Sequence, residues 1–174
     1  MALPSPSYLH ECFIYEPETG SLTWKQRPLH HFADESYQLR WNARWAGKAA
    51  GGLRDNGYIM VMLGWGNPLR AHRIIWAMQT GKWVKQIDHK NGHRTENRWS
   101  NLREATWQQN HWNRGPSGRE LPRGVRKTPS GRFSAQATMN YKVTHLGTFD
   151  TAEEAHAVWR AHVVKERGEF FRAD

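Results

Sequence analysis

Short apolar runs, each broken by Gly, Pro or Asn, set the pattern of the chain, and no run is long enough for more than one element. Tyr8, Leu9, Cys12 and Phe13 fall at helical spacing behind Ser7, which predicts a short helix capped by that serine. Thr19-Gly20 marks a turn into Ser21-Leu22-Thr23-Trp24, a stretch of strand composition. Residues 28–46 mix aromatic and basic side chains with no clear period, and Gly47, Gly51 and Gly52 read as loop. Asn56-Gly57 is a strong turn signal ahead of the strand-like run Tyr58 to Leu63. After a second turn at Gly64 to Pro68, Ile74, Ile75, Trp76 and Met78 give a helix one apolar side, and Gly81 stops it. Thr106 can cap a further helix that carries Trp107, Asn110, His111 and Trp112.

The style changes after that helix. NRGPSGRELP has no apolar period and reads as a linker, over residues 115–121. Beyond it, small, polar and apolar residues alternate around turns at Pro129-Ser130-Gly131 and Met139-Asn140, which predicts three short antiparallel strands. Thr151 caps a closing helix, with Glu153 and Glu154 in the first turn where the helix dipole favours them. Ala152, Ala155, Val158, Trp159, His162 and Val163 recur at helical spacing and give it a face able to cover a sheet. The expected fold class is α+β. An N-terminal region runs to residue 114, and a small three-stranded antiparallel sheet packed on one helix occupies residues 122–174.

Charge narrows the partners. A formal net charge of +9, spread along the chain, favours a polyanion: nucleic acid first, an anionic membrane surface second. One cysteine excludes an intrachain disulfide and a Cys-rich zinc site, and Cys12 within CFIY reads as a small core residue. No apolar run approaches the roughly 20 residues that span a bilayer, and no signal peptide is evident, so a soluble cytoplasmic protein is expected. The ten Trp residues provide apolar bulk and surfaces on which bases can stack.

Chemistry concentrates between Ile87 and Asn113. Phosphodiester hydrolysis needs a nucleophilic water, a base, and a cation to stabilise charge on the phosphate and leaving oxygen. Asp88 offers a hard oxygen and Asn110 a neutral amide oxygen, a sparse set suited to Mg²⁺ or Mn²⁺. His89 is the natural base, because its ordinary pKa lies near neutrality. Neighbouring strand residues face opposite ways, so Asp88 and His89 share one site only if the chain bends, as Asn91-Gly92 allows. Arg94, Arg98 and Arg103 flank this site and could clamp phosphate oxygens; Arg103 could instead pair internally with Glu104 or Asp88. His72 reads as a structural histidine, and His93 as exposed. The pair His30-His31 reads as solvated loop, since no third ligand is obvious nearby.

These residues resemble the HNH homing endonucleases, especially the phage and intron-encoded nicking type. The resemblance covers Ala71-His72-Arg73, Asp88-His89, Asn91-Gly92, Asn97-Arg98, Asn101-Leu102-Arg103, Thr106 and Asn110. It implies a ββα-metal finger around one divalent ion, with a motif core over 71–114. By position, Asp88 and Asn110 would bind the ion, His89 would activate water, and Asn101 would bond across the loop to hold His89. Asn113 would be an alternative ligand or a phosphate contact. Some relatives place a His where Asn110 stands, so His111 is the rival ligand.

The tail resembles the APETALA2-type DNA-binding domain, on Arg123-Gly124-Val125-Arg126, Gly131-Arg132-Phe133-Ser134-Ala135, Leu146-Gly147-Thr148-Phe149-Asp150 and Thr151-Ala152-Glu153-Glu154-Ala155. That family lays its sheet in the major groove of duplex DNA. Arg123, Arg126, Lys127, Arg132, Gln136 and Lys142 would then supply donors to bases and phosphates. Base preference does not carry over, because no Trp follows Arg126 and Gln136 and Thr138 replace the usual charged residues.

The sequence therefore points to a divalent-metal-dependent DNA endonuclease, a monomer or weak dimer, that nicks or cuts where the C-terminal module binds. A phage or mobile-element origin in a bacterial host is implied by the resemblance. The alternatives are a sequence-specific DNA-binding regulator with an inactive HNH fold, and a nuclease directed at RNA.

Overall fold

The computed structural model describes residues 3–64, 66–113, 120–139 and 142–171. The chain divides into two compact units, Met1–Thr106 and Trp107–Asp174. Residues 115–119 of the expected linker and Asn140 of the expected last turn lie outside the described residues.

In the first unit, helix α1 (Pro6–Cys12) starts two residues earlier than the sequence suggested. Ser5 caps it, accepting a hydrogen bond from the Tyr8 N–H at 3.2 Å. Pro6 suits the first helical position, where a missing N–H costs nothing. Strands β1 (Phe13–Glu16) and β2 (Ser21–Trp24) form an antiparallel hairpin in the register Phe13↔Trp24. Its turn carries Gly20 at φ 76°, in the left-handed region.

Helix α2 (Glu35–Trp45) occupies the stretch that showed no period, and it buries none of its residues. A helix without a buried stripe leaves no hydrophobic signature. Polar contacts anchor it instead. Asp34 caps its start, and the Asn42 side chain bonds both the N–H and the carbonyl of Arg27 at 2.9 and 3.0 Å. The Arg27 guanidinium lies 4.8 Å from the Trp41 ring and 4.9 Å from that of Phe32.

Strands β3 (Gly52–Leu53), β4 (Ile59–Val61) and β5 (Leu69–Arg70) make a small antiparallel sheet. It leads into α3 (Ala71–Thr80), which Gly81 ends in the left-handed conformation. Leu9, Cys12, Phe13, Val61, Ile74 and Ile75 meet in the core, each almost fully buried. Strands β6 (Ile87–His89) and β7 (Leu102–Glu104) pair antiparallel, with Asp88 opposite Arg103 and His89 opposite Leu102.

The second unit begins with α4 (Trp107–Trp112). Strands β8 (Val125–Lys127), β9 (Phe133–Met139) and β10 (Lys142–Phe149) form an antiparallel sheet in the order β10-β9-β8, and α5 (Ala152–Arg167) packs on it. Val125, Ala135, Ala137, Ala155, Trp159 and Val163 make its core. Thr151 and Glu154 close a reciprocal capping box at the start of α5. No helix among the described residues is long and apolar enough to cross a membrane.

Gly124 joins sheet to helix. Its φ is 77°, and a β-carbon there would stand 2.0 Å from the Trp159 ring. Gly124→Ala therefore forces either the ring or the backbone to move. It should cost about 2–3 kcal/mol, against about 1 kcal/mol for Thr151→Ala, which loses only the cap. Urea titrations of the two variants beside wild type check this ranking.

Candidate active site

A carboxylate in an almost dry position needs a cation, and β6–β7 provides one by register. Asp88 and Arg103 are cross-strand neighbours, 4 % and 8 % exposed. Arg103 donates from Nε at 2.9 Å and from Nη2 at 2.7 Å, both to Asp88 Oδ2. Arg103 was expected to touch DNA. The structure instead buries it as the counter-ion of Asp88, because removing either partner would strand a charge.

His89, also 4 % exposed, follows on the same strand. Its Nε2 donates to Asn97 Oδ1 at 3.0 Å. An amide oxygen only accepts, so the ring proton lies on Nε2 and Nδ1 is the nitrogen able to take up a proton. Burial pushes the His89 pKa down, partly offset by the Asn97 bond and the Asp88 charge. The ring is therefore neutral near pH 7, as a base must be.

Asn97 is 2 % exposed and was not singled out for this task. The sequence expectation gave it to Asn101. The Asn101 side chain does not reach the ring; its Oδ1 accepts from the Asn91 N–H at 3.1 Å and its Nδ2 donates to the Glu96 carbonyl at 2.7 Å. Asn101 thus closes the 91–96 loop, and Asn97, just beyond that loop, holds His89. Sequence spacing gives both residues, but two loop asparagines are indistinguishable until the chain is folded.

The N-terminal hairpin braces Asn97 from outside the motif. Tyr15 donates its hydroxyl to the Asn97 carbonyl at 2.8 Å, and the Trp99 N–H donates to the Pro17 carbonyl at 3.0 Å. At Gly20 a β-carbon would stand 2.5 Å from the Asn97 and Arg98 backbone. A side chain there would displace the segment that holds His89.

Around His89 the structure gathers rings and guanidiniums. His72 is buried, its ring 4.9 Å from that of His89. Desolvation, with the neighbouring His89, Arg70 and Arg73, pushes the His72 pKa down to about 3. Tyr58 lies beside both histidines, and the guanidiniums of Arg70 and Arg94 sit 4.4 and 5.1 Å from its ring. Arg94 also donates to the Asn56 carbonyl at 2.8 Å. Tyr58 lies outside the motif and about 30 residues before His89, and only the turn at Asn56-Gly57 hinted that this region approaches anything. Arg98 is exposed, 3.8 Å from Glu96, and His93 is exposed as expected.

In the second unit, Asn110 is half-buried on α4, while exposed His111 stacks on Trp107 at 5.6 Å between ring centres. Asn113, expected to touch DNA, is 4 % exposed and presents no such surface. Pairing across the sheet places Arg126, Ser134, Gln136, Thr138 and His145 on the face opposite the helix-packed residues. Gln136 donates to Ser134 Oγ at 3.3 Å. Lys127 and Lys142 are exposed at strand ends, but their register partners are Phe133 and Met139, on the helix-packed face. Pleat alternation thus divides the residues expected to supply donors, with Arg126 and Gln136 on the outer face and Lys127 and Lys142 on the other. Arg132 bonds Asp150 at 2.8 Å at the sheet margin, and Arg123 donates to the Trp112 carbonyl at 3.5 Å.

Among the described residues, one group has metal-ligand spacing: Glu11, His30 and His31. Glu11 is the third partner that the sequence did not reveal, accepting from Nε2 of both histidines at 2.8 Å. Arg27 Nε donates to His31 Nδ1 at 3.2 Å, which fixes the His31 proton on Nε2. That tautomer suits the bond to Glu11 and blocks a metal at the same nitrogen. At the β6–β7 site, both Arg103 donors converge on a single Asp88 oxygen, and oxygen donors of this kind suit a hard divalent ion.

Residues 69–112 match the family model for HNH endonucleases. The match runs from β5 into α4 and supports a nuclease; enzymes of this family generally use a divalent metal to cleave DNA. No curated protein and no solved structure matches the chain significantly.

Two outcomes test this geometry. His72 is neutral in the fold but titrates ordinarily when unfolded, so below about pH 6.5 the unfolded state binds the extra proton. Stability should be flat above that pH and fall by up to roughly 1.4 kcal/mol per pH unit toward pH 3, a slope that His72→Gln reduces in urea titrations. Gly20→Ala should shift the His89 ring resonances in NMR spectra, whereas Gly52→Ala, at a glycine with open space around it and no left-handed φ, should not.

Proposed function

We propose that the chain is a metal-dependent DNA endonuclease in which His89 deprotonates the attacking water. The observation that carries this reading is the buried His89–Asn97 bond beside Asp88, within the segment that matches the HNH endonuclease model. Asn97 keeps the ring proton on Nε2, so Nδ1 would be the nitrogen that takes the proton from water. Burial keeps the ring neutral. Asp88 and Asn110 would hold one Mg²⁺ or Mn²⁺ ion. That ion, when bound, supplies Lewis-acid stabilisation of charge on the phosphate and the 3′ leaving oxygen. Arg103 keeps the Asp88 carboxylate in one orientation. Asn101 sets the shape of the loop that leads to Asn97. Arg70 and Arg94, gathered on Tyr58, are placed to hold phosphate oxygens near His89. The outer face of the C-terminal sheet, with Arg126 and Gln136, would grip duplex DNA, in the manner of the APETALA2-type domains that the tail resembles. The homing type, the phage origin, and a monomer that nicks one strand belong to the same reading.

Supercoiled plasmid with Mg²⁺ or Mn²⁺ tests it. Wild type should give nicked or linear product, and His89→Ala should be slower by about 100-fold or more. Asn97→Ala should lose less, about tenfold, because it misorients the base without removing it. Absence of product from wild type would overturn the enzyme reading in favour of a DNA-binding regulator. Equal rates for wild type and His89→Ala would overturn the role of His89.

A further inference from the structure

Helix α2 is held by one face, and its other face has no task within the first unit. The held face commits its polar groups to Arg27. Gln38 donates to the Arg27 carbonyl at 2.9 Å, and Asn42 bonds both the N–H and the carbonyl of the same residue. Trp41 packs beside them, its ring 4.9 Å from that of Trp24 and 5.7 Å from that of Phe32. On a period of about 3.6 residues, Arg40 and Arg44 fall on the side opposite Gln38 and Asn42. Lys48 follows just past the helix end.

Arg40, Arg44 and Lys48 are exposed, and among the described residues none of them forms an ion pair. The carboxylate that precedes the helix is already engaged: Asp34 accepts from the Tyr37 N–H and the Ser36 hydroxyl, each at 2.7 Å. Like charges four residues apart on a helix repel, so nothing in the helix itself favours two arginines there. Tyr37 and Leu39 leave apolar surface beside them, 51 % and 60 % exposed. A cationic face of this kind matches a polyanion.

The helix is also tied to the candidate site. The Gly47 N–H donates to the Trp24 carbonyl at 2.8 Å and the Ala50 N–H to the Leu22 carbonyl at 2.7 Å, which fastens the chain after α2 to β2. The turn ahead of β2 carries Gly20, which abuts the Asn97 and Arg98 backbone. One hairpin therefore both anchors the end of α2 and braces the segment that holds His89.

We propose that the outer face of α2 docks on duplex DNA, with Arg40, Arg44 and Lys48 on backbone phosphates. The charge pattern calls for a polyanion; that the polyanion is the substrate DNA rests on the nuclease reading. A membrane surface fits less well. An interfacial helix buries a broad apolar face in lipid, and the aromatic side of α2 is already packed against Trp24 and Phe32. Phosphate contacts carry no base preference, so α2 supplies grip and position, not sequence choice.

Fluorescence anisotropy with a duplex of arbitrary sequence, across a salt series and with no metal added, reads the contact. Arg40→Gln/Arg44→Gln should weaken binding at least tenfold at low salt and lower the slope of log affinity against log salt by about two, since each phosphate contact contributes about 0.9. Gln forms helix about as well as Arg, so α2 should stay folded. Lys82→Gln/Lys85→Gln removes the same charge from another exposed stretch and should change the slope by less than about 0.5. Ala43→Glu, which sets an acid one turn from Arg40, should weaken binding with both arginines in place. An unchanged slope in the folded arginine variant, or an equal fall in the lysine variant, overturns the surface. Unchanged duplex binding alongside lost binding to phosphatidylcholine–phosphatidylserine vesicles overturns it in favour of a membrane. None of these readouts involves cleavage. Plasmid left uncut by wild type, with the slope change intact, would sink the nuclease reading alone; His89-dependent cutting with an unchanged slope would sink the α2 surface alone.

Discussion

Asp88 sits on a short strand of a two-stranded sheet with almost no access to water, and the arrangement of the residues around it follows from that constraint. A buried carboxylate must be met by a cation and by donors, and Arg103 on the facing strand meets it twice through one oxygen. The β6–β7 pairing cannot slip by one residue without moving Arg103 to the other face. The ion pair therefore sets the register, and the register sets where His89 and Leu102 lie. A residue that would otherwise serve as a phosphate contact is used to make the site foldable.

The second layer of the site is backbone. Asn101 closes the loop after His89, Asn97 grips the ring, and the hairpin at Tyr15, Pro17 and Gly20 braces the backbone that carries Asn97. None of those hairpin residues has a side chain that does chemistry; their carbonyls, one phenol and a bare α-carbon suffice. Histidine orientation thus depends on a segment about 70 residues earlier, joined to it through a hydrogen-bonded loop and a close backbone approach. Arg70 and Arg94 reach the same neighbourhood through Tyr58, whose ring collects two cations that would repel each other in the open.

The second unit handles charge differently. Its sheet separates Arg126 and Gln136 from the apolar residues by simple alternation, and the Arg167 guanidinium lies beside the Trp112 and Trp159 rings. A ring face attracts a cation without accepting a hydrogen bond, and the buried Arg167 Nε has no hydrogen-bond partner.

Local chemistry alone dictated much of the chain. Asn56-Gly57 and Gly81 mark real chain reversals and ends, Thr151 caps its helix, and the density of Asp, His and Asn from Ile87 onward locates the site. Such features depend on neighbours a few residues apart, so a linear reading contains them. Helix α2 was illegible because it buries nothing, and Ser5 rather than Ser7 caps α1 because the two serines differ only in folded backbone geometry. Only tertiary structure decided that Asn97 and not Asn101 touches His89, that Arg103 neutralises Asp88, and that Glu11 completes the His30-His31 pair. Those are choices among chemically equivalent side chains, and distance in the folded state, which sequence does not encode residue by residue, is what separates them.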